Sequence, residues 1–455
     1  MDEADRLPSR AKPISAPVPG GPYVSILFVV LFLAGSFYFF GFPLIGSLVL
    51  WIVGPIVILL RFTDRIAFDG RRLYRTGLAL QVFARMFKGR YRLRPADIEQ
   101  IETSASRSLR RGGRYIYRYT TQIDGKGVSF TVISGKGYRQ MMRALLPLLP
   151  DDALDIRSIE VRDFLAESAE ALGTARAAGI PGADVLEAGI KSLGRGKLLP
   201  QGHVVTDAAG AEDLRRVANQ LRLAGRLVQA VEAFRRALRL KPADAHLLFE
   251  FARCLHSLAG ARGDEVLDRR AAALMRLSER RAGDDRELLI RLGESYFQFG
   301  DWRRAKRTFE RITSEMGGSF RALRGLAEVS MRTGKIAHVI HNFDSARESV
   351  GSPSLKRWLE REVEYFSRLN SDDEYLEIEV SRMNLVETLE RTAVSSTRIF
   401  PVGLIVILAG LIGLGTTASN LGWVVSAIAL LVWVVTRLFA RFLSARIPPD
   451  MVGEE

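Results

Sequence analysis

Two long apolar runs interrupt a chain that is otherwise patterned for soluble structure. Residues 13–60 and 399–436 contain no Asp, Glu, Lys or Arg, so the uncharged runs are 48 and 38 residues long. Because one membrane-spanning helix needs about 20 apolar residues, each run is long enough for two. Phe42-Pro43 breaks the first run, and the polar stretch 416–420 breaks the second. We therefore predict four transmembrane helices in two hairpins, which are 23–41 with 44–61 and 399–415 with 421–437.

The residues that flank the hairpins predict their orientation. Lys and Arg residues stand at the outer ends of both hairpins, whereas the hairpin turns carry no charge. Basic residues favour the cytoplasmic side, so both termini and the segment 62–398 are expected in the cytoplasm, with four spans in the cell inner membrane. A single cysteine, Cys254, agrees with a reducing compartment. A cleaved signal peptide does not fit the first run, because the run is too long, doubles back and lacks a strongly basic start.

The net charge of +14 indicates an acidic partner surface. In a chain with predicted spans, the simplest such partner is the anionic leaflet, where each basic residue near the surface contributes about 1 kcal/mol. We therefore expect anionic membrane lipids as partners and no nucleic acid.

Between the first hairpin and residue 150, the apolar pattern alternates as in β-strands. Asp69-Gly70 marks one tight hairpin, and a second turn falls at 124–127. The stretch 138–146 then returns to helical spacing, with Tyr138, Met141 and Leu145 on one face. This order predicts a small, partly open β-barrel closed by one helix.

The same segment resembles bacterial PH-like domains. The residues that carry the resemblance are Phe68, Gly70, Leu73, Tyr74, Leu93, Asp97, Ile98 and Ile101. The resemblance implies a membrane-proximal module without catalysis. Leu78–Arg90 does not follow the pattern, and either an interfacial helix or a long strand would account for it.

A cluster of arginines lies in the following loop and is a candidate lipid-headgroup site. Its members are Arg107, Arg110, Arg111 and Arg114. Arginines so placed can bind phosphate headgroups, and the alternative is an ordinary solvated hairpin tip. The next segment, 151–210, is predicted to be helical around Ile159–Ala177 and then a linker rich in Gly and Pro.

A repeat begins at Ala211. The unit 211–244 is 34 residues long and spaces small residues so that two helices can approach, with Phe234 between them and Pro242 as the stop. The same register recurs at Arg286 and Phe320, and it resembles the tetratricopeptide repeat (TPR). Four units are predicted, which are 211–244, 245–285, 286–319 and 320–353. In the second unit, seven additional residues are expected to lengthen the turn between the helices.

The TPR resemblance implies that the first helix of each unit lines a concave face that binds a partner protein. The candidate binding residues are Arg215, Asn219, Arg222, Arg253, His256, Glu294, Phe297, Arg321, Arg324 and Glu328. This mixture suits an acidic, amphipathic segment of a partner; the alternative is a merely solvated face. Arg215 and Asn219 match the version that captures a C-terminal carboxylate, but Glu250 and Glu287 depart from it, so such a ligand is not expected.

The sequence shows no pattern of catalytic residues. It has no His-Glu-x-x-His, Gly-x-Ser-x-Gly or dinucleotide motif, and Leu198 replaces the hydroxyl that a phosphate loop needs. His338 and His341 are three residues apart, but no third metal ligand is evident. Apart from Arg61 and Arg437, which end the second and fourth spans, the predicted spans carry no Asp, Glu, Lys, Arg or His that would indicate transport. We expect no catalytic residue, metal or cofactor.

The predicted fold class is a multidomain membrane protein, with an α-helical TPR solenoid, a small β-rich PH-like domain and four transmembrane helices. The predicted segments are an N-terminal tail (1–22), hairpin 1 (23–61), the PH-like domain (62–150), a helix and linker (151–210), the TPR array (211–353), capping and membrane-approach helices (354–398), hairpin 2 (399–437) and a C-terminal tail (438–455). The predicted function is a non-catalytic membrane adaptor that recruits a partner protein. The alternative is an accessory subunit of a membrane enzyme or transporter complex.

Overall fold

A computed structural model describes residues 13–77, 92–110, 114–165, 168–187 and 208–446, apart from a few side chains within these ranges. The chain divides into two compact units. The first, here called the β–array unit, comprises residues 13–19 and 64–359, and the second, the apolar unit, comprises residues 20–63 and 360–446. Leu78–Arg90, which the sequence left open between helix and strand, lies outside the described residues.

Most of the described chain is helical, and it also contains seven strands of two to twelve residues. The strands are β1 (Ile14–Pro17), β2 (Arg65–Phe68), β3 (Leu73–Thr76), β4 (Arg92–Leu93), β5 (Gln100–Arg110), β6 (Arg114–Gly125) and β7 (Val128–Ile133). The principal helices are α1 (Gly21–Phe39), α2 (Pro43–Thr63), α3 (Tyr138–Leu145), α4 (Ile156–Phe164), α5 (Ser168–Ala177), α6 (Ala208–Leu223), α7 (Leu227–Leu240), α8 (Ala245–Arg262), α9 (Glu265–Arg281), α10 (Arg286–Gln298), α11 (Trp302–Glu315), α12 (Phe320–Arg332), α13 (Ile336–Ser349), α14 (Pro353–Ser371), α15 (Asp373–Ala409) and α16 (Thr416–Leu443).

The strands form two antiparallel sheets, where the sequence predicted one partly open barrel. The first sheet has the order β1-β2-β3-β4, and the second has the order β5-β6-β7. Alternate residues of both sheets, together with the apolar face of α3, enclose one core that includes Phe68, Ile101, Ile123 and Met141. Two sheets form because β4 is only two residues long, and the short 3-10 turn at Pro95–Asp97 separates it from β5.

Strand β1 corrects the prediction that residues 1–22 form only a tail. Ile14–Pro17 pairs antiparallel with β2, with Ile14 opposite Phe68 and Pro17 opposite Arg65. The sequence signal was weak because the three residues between Pro13 and Pro17 are too few to show an alternating pattern. The strand is nevertheless part of the core, since Ala16 is completely buried.

Gly137 allows α3 to begin against β1. Its φ is +88°, and a Cβ atom at this position would lie 2.1 Å from the carbonyl oxygen of Ser15. Both the backbone conformation and the space therefore require glycine here.

Replacing Gly137 by Ala is expected to destabilise the β1–α3 contact by more than the roughly 1 kcal/mol that a left-handed backbone conformation costs by itself. Hydrogen exchange of the β1 amides would measure the change. The matched control is Gly127→Ala, which also has a positive φ (+72°) but nothing within 4 Å of the added Cβ. Equal effects at the two positions would contradict the proposed contact with Ser15.

Helices α6–α13 form four antiparallel pairs that stack as a TPR-like solenoid. Close packing between neighbouring pairs depends on glycines beside Phe309 of α11. A Cβ atom on Gly293 of α10 would lie 2.5 Å from the Phe309 ring, and one on Gly325 of α12 would lie 2.4 Å from it. Phe309 is 1% exposed and therefore fills the space between two successive inner helices.

The additional residues of the second pair extend its helices and do not form the longer loop that the sequence predicted. Helices α8 and α9 have 18 and 17 residues, and only Gly263 and Asp264 separate them. Gly263 ends α8 in the left-handed conformation, and the Asp264 carboxylate accepts hydrogen bonds from the first amides of α9. Because these two capping residues turn the chain tightly, the residues before and after them can remain helical.

The apolar unit contains four helices, α1, α2, α15 and α16, that are long and apolar enough to cross a membrane. Helix α15 is continuous from Asp373 through the third apolar stretch, and it packs on α16 through small residues such as Gly403 and Gly422. The turn between α15 and α16 lies at Gly413 and Gly415, whose φ values are +151° and +92°. The sequence placed this break at 416–420, but glycine adopts these backbone angles more readily than the Thr, Ser and Asn residues there, which begin α16.

Candidate partner-binding site

Two of the predicted binding arginines, Arg222 and Arg253, are buried in an internal ion-pair cluster. The Glu160 carboxylate of α4 accepts hydrogen bonds from Arg222, at 3.2 and 2.7 Å, and from Arg253, at 2.5 Å. The three side chains are between 5 and 7% exposed. Helix α4 thus covers the concave side of the first two helix pairs, so these arginines do not face an open groove as the sequence predicted.

The opposite charges of this cluster stabilise one another inside the protein. Burial alone would raise the pKa of Glu160, but the positive charges of Arg222 and Arg253 hold it below its usual value. Burial, together with the charge of Arg222, lowers the pKa of Arg253 to about 10 despite the nearby carboxylate. One carboxylate therefore neutralises only one of two buried guanidinium groups, and neither arginine is available to a partner.

Arg215 and Asn219 bind a carboxylate from their own chain. Two nitrogens of Arg215 lie 2.8 Å from the Glu250 carboxylate oxygens, and the Asn219 amide nitrogen also lies 2.8 Å from one of them. These hydrogen bonds are the first cause of the raised pKa of Arg215. The TPR resemblance implied that this pair could hold a partner's carboxylate, but Glu250 already occupies that position.

His256 of α8 contacts two other residues of the chain. Its ring stacks on Phe299 with 3.8 Å between ring centroids, and its Nδ1 atom lies 2.5 Å from the Asp268 carboxylate. His256 is thus held by residues of its own chain.

Hydrogen bonds join the β domain to the helices that follow it within the β–array unit. The Tyr119 hydroxyl donates to the carbonyl of Leu223 at 2.6 Å, and the Ser354 hydroxyl donates to the carbonyl of Ile98 at 3.1 Å. Arg107, predicted to bind a lipid headgroup, donates to the carbonyl of Gly260 at 2.8 Å. The other members of that predicted cluster, Arg110, Arg111 and Arg114, have side chains outside the described part of the chain.

A cavity of about 340 Å³ lies where the second sheet and the start of α4 face helices α10 and α12. Its lining includes five of the predicted binding residues, which are Glu294, Phe297, Arg321, Arg324 and Glu328. It also includes residues that the sequence analysis missed, which are Gln100, Glu102, Asp152, Leu154, Asp155, Ile156, Gln298, Phe309 and Gly325. Five of the ten predicted residues thus line one cavity. Its opposite wall is formed by the second sheet and the residues at the start of α4.

Both arginines of the cavity are already paired. Arg321 contacts the Glu294 carboxylate at 2.8 and 2.7 Å and the Glu287 carboxylate at 2.9 and 3.2 Å. Arg324 donates to Glu328 at 2.9 Å, and its guanidinium carbon lies 5.7 Å from the centre of the Trp358 ring. Arg321 therefore joins α12 to α10, whereas Arg324 is paired within its own helix.

Two other carboxylates of the cavity have no direct partner. Among the described residues, Glu102 and Asp152 have no hydrogen-bond or ion-pair partner for their side chains. Burial, which Arg321 partly offsets and Asp151 reinforces, raises the pKa of Asp152 above its usual value. Asp155, in contrast, accepts hydrogen bonds from the backbone amides of Ser158 and Thr103 at 2.9 and 3.2 Å. The cavity thus contains unpaired negative charge beside an apolar floor.

The chemistry of the cavity suits binding. The apolar part of its lining consists of Leu154, Ile156, Phe297 and Phe309. In the part of the chain that the structure describes, no group of three or more His, Cys, Asp or Glu residues could hold a metal ion. A concave site with an apolar floor and a few polar groups is the usual form of a ligand-binding pocket.

Comparisons with known proteins give little further information. No protein-family model and no curated protein matches the chain. Among solved structures, a match is the "Crystal structure of APC/C hetero-tetramer Cut9-Hcn1", at 13% sequence identity and a TM-score of 0.28. The match covers 65% of this chain and 52% of that chain, so it spans about half the length of the solved chain. A TM-score this low adds nothing to the repeat architecture seen in the helices themselves.

Proposed function

We propose that the protein is a non-catalytic scaffold, anchored in a membrane, that binds a segment of a partner protein in the cavity between the second sheet and helices α10 and α12. The cavity itself is the observation that carries this proposal, because Glu294, Phe297, Arg324 and Glu328 of the concave face are partly exposed there. Glu294, Phe297, Arg324 and Glu328 are the proposed contact residues, together with Gln298 at the rim. Arg321 is 5% exposed and holds Glu294 in place, so it is not itself a proposed contact.

The surface of the apolar unit supports membrane anchorage. Large apolar side chains lie exposed along its helices, such as Phe28, Trp51 and Leu431, which are 58, 74 and 63% exposed. An apolar surface of this extent is normally covered by lipid or by another protein. With basic residues at the outer ends of both helix pairs, we propose four spans in the inner membrane and a β–array unit in the cytoplasm.

The order of elements in the β domain supports a PH-like module. It has a four-stranded sheet, a three-stranded sheet and the closing helix α3, and we extend the proposed 62–150 domain by strand β1. Tyr119 and Arg107 donate hydrogen bonds to the array, and Ile98 accepts one from Ser354 of α14. We therefore propose that the module supports the array and one wall of the cavity. Lipid binding by the arginine cluster around Arg110 remains a separate proposal.

A photo-crosslinking amino acid at position 298 tests the scaffold function in the full-length chain in its native membrane. Gln298 lines the cavity and is exposed, so we expect discrete protein adducts from this position. The matched control is position 310, because Glu310 is exposed on the outer face of the neighbouring helix α11. An absence of adducts at 298, or the same adducts at both positions, would contradict the proposal. Co-purification in fixed stoichiometry with a catalytic subunit would support the accessory-subunit alternative.

A further inference from the structure

We infer that the cavity receives a cationic side chain, Lys or Arg, from the partner segment. This inference rests on the proposed scaffold function and specifies the partner that the cavity would select. It reverses the expectation from the sequence, where the arginines of the concave face indicated an acidic partner.

The charge balance of the cavity is the first reason. Its lining holds five carboxylates, which are Glu102, Asp152, Asp155, Glu294 and Glu328, and two guanidinium groups, which are Arg321 and Arg324. Five negative charges and two positive charges leave an excess of three negative charges in a protein whose net charge is +14. Since both arginines are already paired with carboxylates of the chain, an arriving group meets mainly negative charge.

The second reason is where the unpaired charge lies. Asp155 is satisfied by backbone amides, and Glu294 and Glu328 are satisfied by arginines. Glu102 and Asp152 therefore carry the uncompensated charge, and both lie on the wall that the β domain and the start of α4 supply. Asp152 is half-buried, whereas Glu102 is exposed. A half-buried carboxylate without a partner is penalised when it is charged, so a cation beside Asp152 would remove this penalty, and the charge of Glu102 would attract the same cation.

The third reason is the apolar part of the lining. Leu154, Ile156 and Phe309 are buried, and Phe297 stands beside them. Lys and Arg carry long apolar stems that pack on such surfaces while their charged ends reach polar groups. A volume of about 340 Å³ is at the lower end for ligand pockets, so it suits one long side chain with its flanking backbone. A C-terminal carboxylate would instead meet repulsion from Glu102 and Asp152.

Binding of short peptides to the purified full-length chain tests this inference directly. The chain would be placed in nanodiscs of neutral phosphatidylcholine, so that lipid charge attracts no peptide. The probes are acetyl-Leu-Arg-Leu-amide and acetyl-Leu-Glu-Leu-amide, and binding is followed by saturation-transfer NMR. We expect the arginine peptide to bind at least about tenfold more tightly than the glutamate peptide. Equal binding, tighter binding of the glutamate peptide, or no binding by either would overturn the inference.

Charge reversal identifies the residues responsible. The double variant Glu102→Lys with Asp152→Lys should weaken binding of the arginine peptide by at least about tenfold. The isosteric variant Glu102→Gln with Asp152→Asn should weaken it less, and it removes no internal contact of these side chains. The matched control, Glu310→Lys with Glu315→Lys, makes the same charge change on the outer face of α11 and should leave binding unchanged. Equal weakening by the control and the cavity variant would overturn the inference.

The crosslinking experiment separates this inference from the scaffold function on which it rests. If the unmodified chain gives no adduct from position 298, the scaffold function fails. If adducts form and persist in the Glu102→Lys, Asp152→Lys chain, the scaffold function stands and the cationic preference is wrong. Loss of the adducts in that chain, with their retention in the Glu310→Lys, Glu315→Lys chain, supports both.

Discussion

Replacing Glu160 by Gln is expected to destabilise the β–array unit by about 3–5 kcal/mol, because two buried guanidinium groups would lose their carboxylate. Arg222 and Arg253 have side chains only 7 and 5% exposed, so water cannot replace the lost charge. Hydrogen exchange of the amides in α4, α6 and α8 would measure the free energy of opening. This local measurement is preferable to a single unfolding curve, because a chain of two units need not unfold in one step.

A surface ion pair provides the control for Glu160. Asp344 pairs with Arg347 on α13, where the side chains are 55 and 48% exposed. Asp344→Asn should therefore cost no more than about 1 kcal/mol. Replacing Glu160, Arg222 and Arg253 together by Met should recover most of the loss, because no unpaired charge remains buried. A Glu160→Gln chain as stable as the unmodified protein would show that the cluster does not hold α4 on the array.

The second large effect is expected at Phe309, where Ala should destabilise the array by about 3–5 kcal/mol. Phe309 is 1% exposed, and its removal would leave a void between Gly293 of α10 and Gly325 of α12. Since the same ring forms part of the cavity floor, adduct formation at position 298 should fall as well. Exchange of the amides in α10 and α12 measures the first effect.

A compensating pair tests whether the ring and the glycines are matched in size. Gly325→Ala alone should cost about 1–3 kcal/mol by overpacking, because its Cβ would press on the Phe309 ring. Combining it with Phe309→Leu should recover part of this cost. Trp302→Ala, on the same helix at a site that is 42% exposed, should have a smaller effect than Phe309→Ala. Additive losses in the Gly325→Ala, Phe309→Leu chain would contradict the match.

The sequence predicts the repeat register well because helical periodicity depends on neighbours three and four residues away. Phe234, for example, is completely buried between the helices of its unit. Charge-free length likewise predicts the four apolar helices. The turn within the second unit was predicted wrongly. The additional length of this unit indicated a longer loop, but Gly263 and Asp264 cap the two helices and turn the chain in two residues.

The candidate site could be predicted only in part, because periodicity shows which face of a helix is presented but not what covers it. Arg222 occupies a concave position, and Glu160, which lies 62 residues earlier in the chain, covers it. Glu294 and Arg324 also occupy concave positions, but they remain at a cavity. The opposite wall, with Glu102 and Asp152, comes from long-range packing that leaves no periodic signal in the sequence.

The pairing of β1 with β2 restricts how the intervening chain can be inserted. Pro17 lies opposite Arg65 in the ladder, and the 47 residues between them contain α1 and α2. An odd number of bilayer crossings would leave the two strands on opposite sides of the membrane, where they cannot bond. The ladder is therefore compatible only with an even number of crossings. During synthesis β1 can pair with β2 only after both helices have been made. If these helices cross a bilayer, formation of the β1–β2 ladder requires that the chain has first returned to its starting side.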